Sequence, residues 1–317
     1  MKKELIYELK SVYRDTMTIT GFRFGSGEPS AVILGGMRGN ELQQVFICSQ
    51  LVRKLKELEA QGRVRPGKSV LVIPFVNPYS INIQKRFWQT DNTDINRMFP
   101  GYDRGETTQR IAAGVFEAIK DFRYGIHFTS NYISGSFVPH VRIMKTGYED
   151  VEAAKAFGLP YVSLRTPRPY DTTTLNYNWQ IWETAAFSLY TSSDDTIDKE
   201  SAGIAMTAVL NFLHSREILD YDVHRGYISS VVEEDDMIVV KSSRSGLFDP
   251  AAVPGEQVKK GQILARILDP AEGEVRREIK APADGIVFQI QSSPLAYSNA
   301  VLVKLIPQED RILLFQE

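Results

Sequence analysis

The first half of the chain alternates between short apolar runs and longer stretches with helical spacing. Residues 31–34 form an apolar run that ends at two glycines, and residues 70–73 form another that ends at Pro74. Runs of this length bounded by turn residues are typical of buried strands. Between them, residues 40–61 place apolar side chains every three or four positions, which predicts an amphipathic helix. Strand, helix and strand in this order predict two parallel strands joined by a right-handed crossover.

The helix predicted over residues 40–61 has recognisable boundary residues and a predicted buried face. Asn40 is the expected N-cap and Gly62 the expected stop. The face expected to be buried consists of Leu42, Val45, Phe46, Val52, Leu55 and Leu58.

Further elements are predicted as far as about residue 222. Helical spacing predicts a helix over 106–122, Asp198 is the expected cap of a helix that runs to about Ser215, and residues 124–128 are predicted to form a strand. The Pro-rich residues 160–170 are expected to be a surface connection. Residues 77–105 are polar and aromatic without a clear period. A loop of that length is unusual unless it builds a site.

Near residue 222 the pattern changes to short β-like runs separated by turn residues. These runs are residues 237–240, 263–268, 286–290 and 300–306. Several short strands with turn residues between them predict an all-β domain. We therefore predict an α/β domain over residues 1–222 and a β domain over residues 223–317.

Composition excludes several classes of function. The chain has 317 residues, of which 43% are hydrophobic and 24% charged, and its net charge is −2. This balance is that of a globular protein and gives no electrostatic basis for binding nucleic acid or an anionic membrane. No apolar stretch approaches the ~18 residues that span a bilayer, and the first residues lack the apolar core of a signal peptide. Because Cys48 is the only cysteine, intrachain disulfides and cysteine zinc sites are excluded. We expect a cytoplasmic location.

Four segments carry a specific combination of residues. Residues 35–41 read Gly-Gly-Met-Arg-Gly-Asn-Glu, residues 94–101 read Asp-Ile-Asn-Arg-Met-Phe-Pro-Gly, residues 124–128 read Tyr-Gly-Ile-His-Phe and residues 186–192 read Ala-Phe-Ser-Leu-Tyr-Thr-Ser. In combination they resemble the succinylglutamate desuccinylase/aspartoacylase family, relatives of the zinc carboxypeptidases. The resemblance implies a zinc-carboxypeptidase-like α/β domain, with a mixed sheet and flanking helices, followed by a C-terminal all-β barrel-sandwich domain.

The C-terminal region has a resemblance of its own. Residues 253–264 and 281–287 resemble the two halves of biotinyl/lipoyl-like β domains. Such a domain can carry a modified lysine on a hairpin, but residues 272–277 contain no lysine, and Lys280 lies too close to the following Ala-Pro pair. We therefore predict a barrel-sandwich domain without a modified lysine.

The resemblance implies a zinc site in which Glu41 and His127 are ligands. Where the family has a further histidine ligand, this chain has Arg38, a permanent cation that cannot bind Zn²⁺. A guanidinium next to a carboxylate can supply the positive charge that the metal would have supplied. We therefore predict an Arg38–Glu41 ion pair in place of zinc. If zinc is bound, His140 is the candidate for the third ligand.

Two further positions depart from the family pattern. Gly125 replaces an aspartate, and Tyr190 occupies the position of the glutamate that acts as general base. A phenol, whose pKa is about 10, is a poor proton acceptor at neutral pH. Tyr190 could instead donate a hydrogen bond to a bound carbonyl. His214 and His224 are expected to have structural roles.

The long loop resembles the part of the family site that holds the substrate. The resemblance implies that Arg86, Asn96 and Arg97 bind the carboxylate and the scissile carbonyl of an N-acyl amino acid. Arginine suits this role because its planar fork makes two parallel bonds to a carboxylate. With Arg38 converging on the same pocket, we expect a small anionic ligand, such as a dicarboxylate or an N-acylated acidic amino acid. In the alternative interpretation, the arginines pin the loop to backbone carbonyls.

Two classes of function follow. The first is a binding or regulatory protein without zinc, which recognises the anionic ligand and either forms a homo-oligomer or pairs with an intact homologue. The second is an active metal-dependent deacylase that uses Glu41, His127 and a substitute ligand. The joint change at Arg38, Gly125 and Tyr190 favours the first class.

Overall fold

The predicted strand–helix–strand unit lies at the centre of a nine-stranded mixed sheet. The computed structural model describes residues 1–12, 15–130, 135–191, 196–222 and 226–308. Numbered in chain order, the strands of this sheet are β1 (Lys2–Leu9), β2 (Met17–Gly25), β3 (Gly27–Leu34), β4 (Gly67–Ile73), β5 (Tyr124–Phe128), β7 (His140–Met144), β8 (Tyr161–Arg165), β9 (Ala185–Tyr190) and β10 (Ser230–Glu233). Their order across the sheet is β1-β2-β4-β3-β5-β9-β7-β8-β10.

The centre of this sheet is parallel. Strands β4, β3, β5 and β9 are parallel to one another, so the predicted parallel pairing of β3 and β4 is confirmed. The pairs β1–β2, β2–β4 and β7–β9 are antiparallel. Because the central strands are parallel, their carboxyl ends meet at one edge of the sheet, where α/β proteins commonly bind ligands.

Helices cover both faces of the sheet. They are α1 (Leu42–Ala60), α2 (Pro78–Ile81), α3 (Thr107–Ile119), α4 (Val151–Lys155), α5 (Leu175–Ile181) and α6 (Lys199–Ser215), with 3₁₀ turns at Ile95–Arg97, Pro169–Asp171 and Glu234–Asp236. Successive residues of β3 belong to two different cores: Ile33 packs with α1 and α6, and Leu34 packs with α3 and α5. This alternation is expected of a strand buried on both faces.

Two details of α1 differ from the sequence prediction. The N-cap is Glu41 rather than Asn40. The buried face begins with Gln43, Gln44, Ile47, Cys48 and Leu51, not with the predicted Leu42, Val45 and Phe46. Gln43 is buried because its side-chain amide hydrogen-bonds the backbone N–H and C=O of Asp198 at 3.0 and 2.9 Å. A glutamine can be buried when both ends of its amide are satisfied.

The predicted surface connection over residues 160–170 is partly wrong. Residues Tyr161–Arg165 form β8, which pairs in parallel with β7. Prolines before and after this segment favoured a loop, but residues 161–165 form a strand of the sheet. By contrast, the helix predicted from Asp198 matches α6, and the strand predicted over residues 124–128 matches β5.

The chain divides into two compact units. The described parts of the first are residues 1–130 and 139–231, and those of the second are residues 135–138 and 232–308. The sequence placed the boundary between residues 222 and 223, of which residue 223 lies outside the described residues. The sequence also gave no sign that residues 135–138 join the second unit.

The second unit consists of two antiparallel sheets, as expected for an all-β domain. Its strands are β6 (Gly135–Phe137), β11 (Ile238–Lys241), β12 (Gly246–Pro250), β13 (Gln257–Val258), β14 (Ile263–Leu268), β15 (Val275–Lys280), β16 (Gly285–Gln291), β17 (Leu295–Ala296) and β18 (Val301–Pro307). One sheet has the order β11-β18-β16-β13 with β6 also paired to β16, and the other has the order β15-β14-β12-β17. A shared apolar core lies on β12, β14, β16 and β18.

The helices of the described ranges are all too short or too polar to cross a bilayer.

Candidate functional site

The candidate site lies at the carboxyl ends of β3 and β5. Leu34 of β3 is the register partner of His127 in β5, so the segments that follow these two strands begin side by side. Two glycines shape the turn after β3. Gly36 has φ +48°, a left-handed conformation that favours glycine. A Cβ on Gly39 would lie 2.2 Å from the carbonyl oxygen of Ser80, which holds the turn tightly against the long loop.

The turn brings the predicted ion pair together. Arg38 Nη1 donates to Glu41 Oε1 at 2.9 Å, and the Arg38 backbone N–H donates to Glu41 Oε2 at 3.0 Å. Both side chains are buried, with exposed fractions of 3% and 0%. The Arg38–Glu41 pair predicted from the sequence is therefore present, and both oxygens of the Glu41 carboxylate are engaged by Arg38.

A second carboxylate, Asp94, holds the other side of the guanidinium. Arg38 Nε donates to the two Asp94 oxygens at 3.2 and 3.0 Å. Asp94 also caps the 3₁₀ turn Ile95–Arg97 by accepting the N–H of Asn96 at 3.0 Å. Burial disfavours the charge on Arg38, but Asp94 and Glu41 outweigh this effect, and the pKa of Arg38 is raised overall. The guanidinium is a fixed cation between two carboxylates.

Hydroxyl groups that follow β5 complete this network. Ser130 Oγ donates to Glu41 Oε1 at 2.6 Å, and the Ser130 backbone N–H donates to the same oxygen at 3.3 Å. Arg38 Nη1 also lies 3.5 Å from Thr129 Oγ1. Because a buried carboxylate needs several donors, these contacts explain how Glu41 is accommodated without solvent.

His127 lies inside β5 in the same buried cluster. Its Nδ1 lies 3.1 Å from Oδ1 of Asn176 in α5. An amide oxygen only accepts hydrogen bonds, so Nδ1 carries the proton and Nε2 is left with a lone pair. Nε2 is buried without a partner among the described residues. Burial is the main reason that the pKa of His127 is lowered to about 4, so the ring is neutral at physiological pH.

Gly125, where the family has an aspartate, faces a tryptophan. A Cβ on Gly125 would lie 2.7 Å from ring atoms of Trp179. Trp179 is fully buried in α5. The indole ring therefore occupies the space that any side chain at position 125 would need.

The described residues do not fit the expected zinc ion. A catalytic zinc site needs about three protein ligands and an open position. Glu41, one of the two predicted ligands, has both oxygens bonded to Arg38. Within the described ranges, no group of three or more His, Cys, Asp or Glu side chains is placed to hold a metal ion.

The candidate third ligand, His140, is engaged elsewhere. It lies at the start of β7, and its ring stacks on that of Tyr190 with 4.8 Å between centroids and 4° between planes. The Arg142 guanidinium donates to the Tyr190 hydroxyl and lies 4.4 Å from the centre of its ring. Tyr190, at the predicted general-base position, is thus a buried phenol between an imidazole and a cation. The last residue of its motif, Ser192, lies outside the described residues.

The loop residues expected to bind an anion do not all converge. Arg86 shares Asp94 with Arg38, at 3.9 Å from Nη2 to Oδ2. Asn96 is buried, and its Oδ1 accepts the N–H of Leu175 at 3.1 Å, which ties the loop to the start of α5. Arg97 instead donates to the backbone carbonyl of Tyr170 at 2.6 Å. Arg86 and Arg38 therefore belong to one cluster, whereas Arg97 makes a contact of the kind that the alternative interpretation expected.

Arg97 belongs to a separate charged group around Asp171. Arg97 Nη1 lies 3.5 Å from Asp171 Oδ1, and Arg165 Nη2 lies 3.0 Å from Oδ2 of the same carboxylate. Asp171 is buried, so two arginines share one enclosed negative charge. The predicted structural histidine His214 accepts the N–H of Tyr221 at the end of α6, and His224 lies outside the described residues.

Comparison with known proteins identifies the family. The profile of the succinylglutamate desuccinylase/aspartoacylase catalytic domain matches residues 28–215, which is more than half of the chain. The chain belongs to the succinylglutamate desuccinylase/aspartoacylase family. The resemblance inferred from the four sequence segments is thereby confirmed.

Relatives of this family member include enzymes and solved structures. It is 25% identical over 287 residues to N-alpha-acetyl-L-2,4-diaminobutyric acid deacetylase of Halomonas elongata, which covers 85% of this chain and 79% of the relative. A crystal structure of a succinylglutamate desuccinylase from Silicibacter has a TM-score of 0.81 at 19% identity, covering 95% of this chain and 93% of the other. The product-bound ectoine utilization protein EutE of Ruegeria pomeroyi has a TM-score of 0.79 at 21% identity, covering 95% and 94%. These structures confirm the predicted fold class.

Several residues of the site were missed by the sequence interpretation. Asp94 belongs to one of the four sequence segments, but its contact with Arg38 was not predicted. Asn176, Ser130 and Trp179 were not predicted as site residues. Only Asp94 had a usable sequence signal, because an Asp before a short turn is a common cap. The other three contact the site through the packing of α5 and the end of β5, which no periodicity reveals.

Proposed function

We propose that this family member binds a small anionic ligand of the N-acyl amino acid type and that its hydrolase chemistry is reduced or lost. The observation that carries this proposal is the Arg38 guanidinium held between Glu41 and Asp94. Zinc-dependent hydrolysis needs a metal to lower the pKa of water and a carboxylate to take its proton. Here one ligand position holds a cation, and the general-base position holds Tyr190.

The choice of ligand class rests on the family and on the basic residues of the loop. The curated relative is named for the removal of an acetyl group from an amino acid. Arg86 has a side chain that is 16% exposed, next to the buried cluster, and is the arginine best placed to receive a carboxylate there. Homo-oligomer formation, pairing with an intact homologue and a cytoplasmic location remain predictions.

A second candidate is an active metal-dependent deacylase. Its support comes from His127, which is neutral and has its Nδ1 fixed by Asn176, the arrangement that a metal-ligating histidine requires. The relative from Halomonas elongata adds to this support. Activity would require Glu41 to exchange Arg38 for a metal ion and a further ligand to be recruited.

Binding and turnover measured side by side distinguish the two. N-acetyl forms of L-aspartate, L-glutamate and L-2,4-diaminobutyrate are titrated calorimetrically, with added zinc or with EDTA, and release of the free amino acid is followed. We expect at least one probe to bind equally well in both buffers, without turnover. Turnover that requires zinc and stops with EDTA would establish the deacylase instead.

A pair of neighbouring variants tests the position of the ligand. Arg86→Met should weaken the bound probe by about 1.5–3 kcal/mol, the scale of a hydrogen bond to a charged group. Lys85→Met removes the adjacent, exposed charge and should leave the affinity nearly unchanged. Equal losses in both variants would mean that the effect is general electrostatics, and Arg86 would be removed from the site.

A further inference from the structure

We infer that Arg38 is the specificity-determining residue for the acyl group and that it selects ligands whose acyl group is uncharged. This inference rests on the proposed function and deepens it, because it names the part of the ligand that the substituted metal position would contact. It follows from the hydrogen bonds that Arg38 makes and from the charge around it.

One nitrogen of the guanidinium, Nη2, makes no hydrogen bond to the described residues. Nε donates to Asp94, and Nη1 donates to Glu41, Thr129 and Ser130. Within the described ranges, Nη2 donates to no residue, although only 3% of the Arg38 side chain is exposed. The contacts on the other two nitrogens fix the plane of the guanidinium, so Nη2 is a preorganised donor rather than one end of a mobile side chain.

The charge of the cluster decides which groups of a ligand can bind next to Nη2. Arg38 and Arg86 contribute two positive charges and Glu41 and Asp94 two negative ones, so the cluster is balanced before a ligand binds, and the carboxylate of an amino-acid ligand at Arg86 already adds one negative charge. A third carboxylate at Nη2 would meet two existing carboxylates within the same buried cluster and would be repelled. A neutral carbonyl oxygen satisfies the donor without adding charge. The predicted effect of Arg38 is therefore different from that of a simple cationic anchor.

This argument changes the expected ligand. The sequence suggested that Arg38 would make the pocket more cationic and favour a dicarboxylate. With Asp94 and Glu41 on the guanidinium, the positive charge of Arg38 is already compensated by carboxylates of the protein, so a second carboxylate on the ligand would add uncompensated negative charge at the acyl end. The ligand class that fits is an N-acetyl or similar neutral-acyl amino acid, with its carboxylate toward Arg86 and its acyl oxygen toward Arg38 Nη2.

A ligand series on the wild-type protein tests this directly. For each of L-aspartate, L-glutamate and L-2,4-diaminobutyrate, the free amino acid, the N-acetyl form and the N-succinyl form are titrated by calorimetry in EDTA. We expect the N-acetyl form of the best amino acid to bind about tenfold or more tightly than both other forms, since one charged hydrogen bond has that scale. An N-succinyl form that binds equally or better would overturn the inference and leave the proposed function intact. If no compound of the series binds, both are overturned.

Infrared spectroscopy of the bound N-acetyl ligand needs no variant. The ligand carries ¹³C at the acetyl carbonyl. In the presence of EDTA, the C=O stretching band of the bound ligand should lie at lower wavenumber than that of the same ligand in water-free solvent, because the guanidinium polarises the C=O bond. A band at its position in water-free solvent would show that no donor contacts the oxygen and would contradict the assignment.

Charge variants then separate Arg38 from general packing. Glu41→Gln and Asp94→Asn each remove one negative charge from the cluster while retaining side-chain shape, and each should reduce the preference for N-acetyl over N-succinyl by several-fold. Asp171→Asn, in the separate group around Arg97, is the matched control and should leave the preference unchanged. A preference that survives in both cluster variants would exclude charge as its cause.

Discussion

Arg38 shows how one substitution changes the physical requirements of a whole site. A guanidinium placed where an imidazole would bind a metal must itself be neutralised, and Glu41 and Asp94 provide the opposite charge. A buried ion pair gains little over an apolar replacement of the whole group, but the loss of one member leaves uncompensated charge. The network is therefore expected to be sensitive to the removal of any single partner.

The variant Arg38→Met tests that sensitivity. Removal of the guanidinium leaves the buried carboxylate of Glu41 without its cation and that of Asp94 with only the more distant Arg86, and we expect the free energy of unfolding to fall by about 3–5 kcal/mol. Denaturant unfolding in zinc-free buffer measures this loss. The control, Lys155→Met, breaks an exposed pair with Glu152 and should cost less than about 1 kcal/mol. Similar small losses in both proteins would mean that the buried network contributes nothing.

Gly125 and Trp179 make a second residue-scale prediction. The variant Gly125→Ala places a methyl group 2.7 Å from a buried indole ring, so we expect a loss of about 1–3 kcal/mol from overpacking. The matched control is Gly203→Ala in α6, where a Cβ meets nothing within 4 Å. There the same change should stabilise the protein by about 0.5–1 kcal/mol, since alanine favours helix. If Gly125→Ala is as stable as the wild type, Trp179 does not fill the position.

At the scale of elements, α1 and α6 are joined at one polar point. Gln43 of α1 binds both backbone groups of Asp198, and the Asp198 side chain caps α6 by accepting the N–H groups of Glu200 and Ser201 at 2.9 and 3.3 Å. This contact explains why a glutamine occupies a core position of α1. It also means that the start of α6 is fixed both by its own cap and by its neighbour.

The cap itself can be tested without disturbing the Gln43 contact, which uses only backbone groups of Asp198. Asp198→Ala should lower the free energy of unfolding by about 1 kcal/mol, the usual cost of losing an N-cap. Asp198→Ser, which retains a side-chain acceptor, should recover most of that loss in the same denaturant titration. Equal stability of the alanine and serine variants would show that the side chain does not cap the helix.

The secondary-structure elements and their order were largely predictable from the sequence. Which side chains each element buries was less predictable. The apolar runs of β3, β4 and β5 and the Asp198 cap of α6 are local signals, and the structure confirms them. Gln43 was missed because its burial depends on a partner 155 residues away. The strand β8 was missed because prolines flank it, and its pairing with β7 was not visible in the sequence.

The same distinction applies to the site. The Arg38–Glu41 pair was predictable, because three residues in a tight turn bring the two side chains together. Asp94 lies 56 residues from Arg38 in sequence, and the predicted convergence of Arg97 with Arg38 was not found because Arg97 contacts Tyr170 and Asp171. Local spacing therefore predicted the Arg38–Glu41 contact, whereas the other partners of Arg38 come from separate segments.

At the scale of the whole molecule, the fold and the site give different information. The family profile and the TM-scores show that this chain retains the architecture of deacylase relatives. Fold alone does not determine function, which depends on the residues of the site. In this chain those residues form a charge-balanced network around Arg38, with a neutral His127 beside it.

The zinc content of the purified protein tests the central claim most directly. The protein is produced and purified with zinc supplied, freed of loosely bound metal by gel filtration, and analysed by elemental mass spectrometry against its protein concentration. Because Arg38 engages both oxygens of Glu41, a predicted ligand, we predict far less than one zinc per chain. A content near one zinc per chain would contradict the account and return this family member to the metal-dependent deacylases.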